Sequence, residues 1–421
     1  MQQIVRILKT KKWIWVVLNT ICMLYTTFLW MNQPRTYGEE FFFVKWLTIT
    51  KRTIFNIDPK PSYKEFLFLD VSESKTVLPL TPDSSRVSII TDRKKLKNLF
   101  EFVTKNNNEV KLVFCDVLFD RSTPEDSGLE KSIVNLKDKF LGVNELIDKV
   151  VKKPVIDIST ASSSIFVEDG TIIKYPILLQ DSIQTVPSAM LTKLDNKMVE
   201  AFPPLVRIQD AGWSLGSPIL ELSVREKDFE VNSSTDSSYI KIGLGELVSL
   251  IQAFETDSVA SKNLFDQYFK EKILLIGDFE SDRHSTIYGD MPGTLVILNA
   301  YLTLKHGKGL LSFSLILFFI LGYGLISYTY FIDENIRIRG VALKVLEHNR
   351  GILHFFYYYG LFLTIMTIIV YYVFGLHIGI FFQLLYLKIL DWFYDKKYLE
   401  SWEDIKKRTK KVQVIIEKLK P

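Results

Sequence analysis

Apolar positions along this chain follow two kinds of pattern. In four stretches they run almost unbroken: residues 13–31, 310–331, 352–375 and, less purely, 376–392, where Gln383, Lys388 and Asp391 interrupt. The first three are long enough to cross a hydrocarbon layer of about 30 Å as helices. Between the first and second, short apolar runs alternate with amphipathic ones. "EFLFLDV" at 65–71 reads as a buried strand, and "RVSIIT" as another, with Asp92 able to cap a helix. Leu96, Leu99, Phe100 and Val103 then recur at helical spacing. "VKLVFCDVLFD" at 110–120 returns to strand, so strand, helix and strand imply a parallel βαβ unit. "STPEDSGLEKSI" opens a helix with Pro124 and Asp126 in its first turn, and "PVIDIS" at 154–159 is a further strand. Asp169-Gly170 marks a hairpin, "VPSAMLTKL" a helix, "YIKIGLGELVSLIQAF" a strand passing into a helix, and "KEKILLIGD" a last strand.

This alternation predicts an α/β extracytoplasmic domain with a mixed or largely parallel sheet, plus an α-helical transmembrane part of one N-terminal span and about three C-terminal spans. Charge sets the orientation. Arg6, Lys9, Lys11 and Lys12 precede the first span, Arg337, Arg339, Lys344 and Arg350 follow the second, and the tail at 393–421 is rich in lysine. The positive-inside rule places 1–12, 332–351 and the tail in the cytoplasm, and 32–308 outside. The first span is long for a signal peptide, and no small-x-small cleavage site follows it, which favours an uncleaved anchor.

The 421 residues are 48% hydrophobic with a net charge of +4, which points to no nucleic-acid partner. The two cysteines, Cys22 and Cys115, lie in unlike contexts and imply no disulfide framework. In the tail, Tyr398, Trp402, Ile405, Thr409, Val412, Ile416 and Leu419 recur at spacings of four and three. That seam suits either a coiled coil with a cytoplasmic effector or a dimer-mate, or an amphipathic helix on the anionic leaflet.

Candidate chemistry gathers at strand ends. Asp70, Asp116 and Asp278 each close a predicted strand, where open α/β sheets keep ligand crevices, although aspartate there is also an ordinary turn former. "GDFESDRHSTIYGDMPGTL" at 277–295 alternates Asp278, Glu280, Asp282 and His284, then turns at Pro292 and Gly293 toward the second span. The alternation suits oxygen ligands of a cation, but the glycine and distal glutamate of a calcium loop are missing. No P-loop, dinucleotide fingerprint, zinc spacing or nucleophile elbow occurs, so no cofactor or metal is assigned.

Taken in order, "FLFLDVSES", "LVFCDVLFD" with Asp116, "EDSGLEKSI" with Asp126, "EDGTIIKYPILL", "KILLIGD" and "MPGTLVILNAYLTL" with Asn299 and Ala300 resemble the second type of CHASE domain. This is a cyclase/histidine-kinase-associated sensory extracellular domain of bacterial membrane sensors. Leu295 and Ile297 depart from the polar residues that many relatives carry after Met-Pro-Gly. The resemblance implies one span, the outer domain and about three spans. It also implies a bacterial inner-membrane sensor of an unknown ligand or envelope protein, and the short stretch after the last apolar run leads us to expect a non-enzymatic one that relays to a separate cytoplasmic effector. The alternatives are a scaffold subunit of a membrane complex, or a metal-dependent hydrolase using Asp70, Asp116, Asp278 and Asp282.

Overall fold

The computed structural model describes residues 12–34, 38–79, 87–105, 109–165, 170–180, 182–229, 238–332 and 352–394. Eleven α-helices lie among them. In chain order these are α1 (Lys12–Met31), α2 (Gly38–Thr53), α3 (Arg93–Thr104), α4 (Asp126–Val134), α5 (Val186–Asp195), α6 (Leu244–Ala253), α7 (Ser258–Tyr268), α8 (Gly293–Lys305), α9 (Phe313–Phe331), α10 (Ile352–Phe374) and α11 (Ile380–Tyr394). The chain divides into two compact units. One comprises the described parts of Met1–Met31, Ser314–Tyr371 and His377–Pro421; the other comprises Asn32–Phe313 with Tyr372–Leu376.

The larger unit is built on one sheet. Its strands are β1 (Phe66–Asp70), β2 (Leu112–Cys115), β3 (Phe140–Ile147), β4 (Val150–Lys152), β5 (Thr160–Ser162), β6 (Ile240–Gly243) and β7 (Ile273–Gly277). Their order is β6-β1-β7-β2-β3-β4, with β5 also on β3. Every pairing is parallel except the β3–β4 hairpin. Residues of β1, β2 and β7 are buried throughout, as strands covered on both faces must be. Alternation then sorts them. Leu67, Leu69, Val113, Cys115, Leu274 and Ile276 join a core with α3, α4, α6 and α7. Phe66, Phe68, Leu112, Phe114, Ile273 and Leu275 join a second core with α5 and α8.

Several sequence expectations need correction. "RVSIIT" does form a strand, Val87–Thr91, and Asp92 does cap α3 by accepting from the amides of Lys94 and Lys95. That strand pairs with Lys75–Pro79 in a separate hairpin, so the strand of the βαβ unit before α3 is β1. "VKLVFCDVLFD" is strand only over β2, because the chain leaves the sheet edge at Asp116. "PVIDIS" is irregular: the amide of Val155 bonds Phe119 O, and regular pairing begins at Thr160. Pro124 lies ahead of α4, which starts at Asp126. Pro292 and Gly293 are not a turn. Pro292 ends a strand, Gly289–Pro292, and Gly293 begins α8; the turn lies before them at Ile287 and Tyr288, and Gly289 after it has a φ of +94° that is costly for a side chain. Asp169, the 332–351 loop beyond Ile332, and the tail beyond Tyr394 lie outside the described residues.

In the smaller unit, α1 and α9 are long and apolar enough to cross a membrane. The apolar helix expected from residue 310 starts at Phe313, since Leu310 bridges to Ser214 instead. The fourth apolar stretch is a helix of 15 residues, α11. A polar seam joins these helices. Asn19 Nδ2 donates to Ser327 Oγ (2.8 Å), Tyr386 OH to Asn19 Oδ1 (2.8 Å), and Gln383 Nε2 to Thr27 Oγ1 (2.8 Å), while Thr27 and Tyr323 share a hydrogen bond of 2.6 Å.

Candidate functional site

The sheet order brings three of the expected carboxylates to neighbouring strand ends, because β7 lies between β1 and β2. Their surroundings separate them. Asp70 Oδ1 accepts from the amides of Ser72 (2.9 Å) and Phe279 (3.3 Å), and its Oδ2 meets Lys241 Nζ at 3.5 Å. Asp278 Oδ1 accepts from the amides of Glu280 (3.1 Å) and Ser281 (2.7 Å), and its Oδ2 takes Lys75 Nζ at 2.7 Å. Burial works to raise the Asp278 pKa, but Lys75 and the two amides outweigh it and hold the carboxyl below its usual range. Each of these aspartates closes a turn and has a lysine.

Asp116 is different. It follows β2 on the sheet face that carries α8, and Thr294 Oγ1 in the first turn of α8 donates to its Oδ2 at 2.8 Å. Gly277, at the end of β7, makes this contact possible, since a Cβ there would stand 1.9 Å from Thr294 Oγ1. No lysine pairs with Asp116 among the described residues. Burial, and then the charge of Asp282, push its pKa up to about 7, while the Thr294 hydroxyl and His284 pull the other way.

Asp282 and His284 lie on the loop and hairpin between β7 and α8. The strand Arg283–Thr286 pairs antiparallel with Gly289–Pro292, and His284 Nε2 stands 3.1 Å from Asp282 Oδ1. The Asp282 carbonyl accepts from the Gly293 amide (2.9 Å), and a Cβ on Gly293 would come within 2.3 Å of Asp282 Oδ2. Glycine therefore lets a carboxylate approach the positive end of α8. The hydrogen bond to Asp282 raises the His284 pKa against its partial burial. Around neutral pH the cluster thus holds an Asp282–His284 pair beside a carboxyl poised between its two forms. Tyr175 completes it. The residue is 2% exposed, its hydroxyl has no hydrogen-bond partner among the described residues, and burial and the nearby Asp116 charge both resist its ionisation. A buried hydroxyl without a partner is costly and marks a place where a polar guest would be held.

The other expected residues have structural partners. Asp126 binds Arg93, the Thr123 amide (2.8 Å) and the Thr123 hydroxyl (2.8 Å); burial opposes its ionisation, and these donors keep its pKa low. Asn299 is fully buried in α8, giving Nδ2 to the Val224 and Leu295 carbonyls and accepting from the Val224 amide. Among the described residues no three His, Cys, Asp or Glu side chains converge as a metal-binding group, so Asp70, Asp116, Asp278 and Asp282 do not surround one ion. Tyr175 and Thr294 escaped the sequence reading, because a tyrosine and a threonine inside apolar runs carry no local signal of charge nearby.

A cavity of about 580 Å³ opens at the opposite edge of the sheet, beside Lys111, Lys139 and Glu271, which precede β2, β3 and β7. It lies at the amino ends of the strands, away from the cluster, and its Lys270 is paired with Glu109 and Asp266. The carboxyl edge, where α/β sheets gather ligands, is where Asp116, Asp282 and His284 lie. No family model, no curated protein and no solved structure matches the chain.

Proposed function

We propose that this chain is a multi-pass bacterial inner-membrane sensor. Its α/β unit lies outside the cytoplasm and acts on a separate cytoplasmic effector or a dimer-mate. The observation that carries the reading is continuity. The Asp116–Asp282–His284 cluster is built on the first turn of α8, and residues 306–312 lead directly from α8 into α9, a helix of membrane-crossing length. A ligand that bonds Tyr175, or that changes the proton on Asp116, alters the seating of α8, and α8 passes the change to α9. The chain order of strand-end acids and the Met-Pro-Gly helix supports the resemblance to a CHASE domain. The basic stretches at 1–12, 332–351 and 393–421 support four spans, α1, α9, α10 and α11, with both termini in the cytoplasm.

Two measurements on the full chain test this. Alkaline phosphatase inserted at residue 257 should be active, and green fluorescent protein fused after residue 421 should fluoresce; the reverse pattern overturns the topology. Crosslinking of the tail to its neighbours should change between wild type and His284→Ala. An unchanged pattern in a folded variant removes the cluster from signalling.

A further inference from the structure

A second surface of the α/β unit is chemically unlike the rest. Helix α2 begins shortly after α1 ends, and its two faces differ. Glu40, Val44, Leu47 and Thr48 are buried on one side. Phe42, Trp46 and Ile49, at helical spacing on the other, are 56%, 57% and 37% exposed. Ion pairs fasten the inner face: Glu40 with Lys174 (2.7 Å), Lys51 with Glu221 (2.6 Å), and Arg52 with Asp58 (3.1 Å). A helix fixed to its domain by buried charges while presenting an aromatic stripe is held in that pose for an apolar neighbour.

A three-stranded antiparallel sheet, Val199–Phe202, Leu205–Ile208 and Gly212–Leu215, behaves alike. It exposes Phe202 (61%) and Trp213 (39%), whose rings meet at 4.8 Å. Its position identifies the neighbour. Asn32, the first residue after α1, bonds the Pro204 carbonyl and the Gly216 amide. Just ahead of α9, Gly309 O accepts from the Leu215 amide (3.1 Å), and the Leu311 amide donates to Trp213 O (2.8 Å). Lys174 also bonds Gln33 O (3.3 Å), and Tyr372, near the end of α10, reaches Leu47 O at 3.5 Å and the Phe55 ring at 5.5 Å. Asn32, Gly309, Leu311 and Tyr372, each next to or within an apolar helix, are thus fastened to the small sheet or to α2.

We infer that α2 and the sheet at 199–215 form a collar that rests on the outer lipid interface, with Phe42, Trp46, Ile49, Phe202 and Trp213 inserted among headgroups. Tryptophan and phenylalanine suit that layer, and Lys45 beside Phe41 can reach lipid phosphate from it. This rests on the membrane reading above, and the test separates the two.

In a Cys22→Ser, Cys115→Ala background, single cysteines at 42, 46, 202, 259 and 325 carry an environment-sensitive nitrobenzoxadiazole probe. The full chain is reconstituted in phosphatidylcholine/phosphatidylglycerol vesicles with headgroup-proximal or deep doxyl lipids. Positions 42, 46 and 202 should show blue-shifted emission and lose it most to the shallow quencher. Position 325, within α9, should respond most to the deep one, and 259, exposed on α7, to neither. Quenching at 325 with solvent-like emission at 42, 46 and 202 overturns the collar and leaves the membrane reading standing; no quenching at 325 overturns both. A blue shift at 42, 46 and 202 that resists both lipid quenchers and grows with protein concentration assigns the surface to a second copy of the chain and also overturns the collar.

Discussion

The carboxyl edge of the sheet has two halves that treat the same residue type in opposite ways. At β1 and β7, Asp70 and Asp278 accept amide protons and meet Lys241 and Lys75. One strand over, Asp116 meets a threonine, another carboxylate and the charge of a histidine. The first half is a pair of closed turns, with charge neutralised on the spot. The second leaves its charge balance to a proton. A strand-end aspartate becomes a candidate site when, among the described residues, no lysine or arginine pairs with it and a second carboxylate lies near, not by its position alone.

The contrast can be broken at its base. Gly277→Ala should have the largest effect, because its new Cβ would collide with Thr294 Oγ1. A loss of about 1–3 kcal/mol is expected from such overpacking, read as a lower protease-resistance midpoint of the α/β unit. Thr294→Ala added to it should recover part of that loss, and strict additivity would remove the contact from the account.

The pH dependence sharpens the contrast next. The Asp116 carboxyl, raised from 3.8 to about 7, keeps its proton in the folded state over a range where the unfolded chain has released it. Its contribution is full below about pH 4 and is lost as pH rises through 7, on the order of 2 kcal/mol given that the residue keeps an exposed edge. His284, also raised, contributes fully below its unfolded value of 6.5 and loses that contribution as pH rises through its folded value. Asp278, held low, works the other way: its contribution is present above 3.8 and is lost as pH falls through its folded value. Asp116→Asn should therefore flatten the decline between pH 4 and 7 in midpoint-against-pH curves, and a decline of unchanged slope would count against the assignment.

Asp278→Asn should remove only an acid-side loss of about 0.5–1 kcal/mol, as befits a partly exposed pair. Smallest of all, Lys241→Met should shift the midpoint by less than about 0.5 kcal/mol, since its 3.5 Å contact with Asp70 involves a well-exposed lysine. If this last variant proved as harmful as Gly277→Ala, the division of the edge into a closed half and a responsive half would fail.

Much of the architecture was legible in the sequence. Unbroken apolar runs located β1, β2 and β7, Leu96 to Val103 located α3, and the uncharged stretches located α1 and α9. These signals are local, because burial on both faces or on one stripe writes its period directly into the chain. Helix α2 is not legible in this way, since aromatic residues on its outer face and a buried glutamate among Val44, Leu47 and Thr48 on its inner face blur the usual pattern. The hairpin of Val87–Thr91 was misplaced for a related reason: a strand's composition does not say which sheet it joins.

By itself the sequence determined the membrane-length helices, the α/β character between them, and which aspartates end strands. Only the tertiary structure decided that β7 inserts between β1 and β2, that Gly277 admits Thr294 to Asp116, and that Tyr175 comes to the same place with its hydroxyl unpaired among the described residues. Strand order and the approach of a helix to a sheet depend on contacts between residues far apart in the chain. The charge state of a carboxyl depends on whatever those contacts bring beside it.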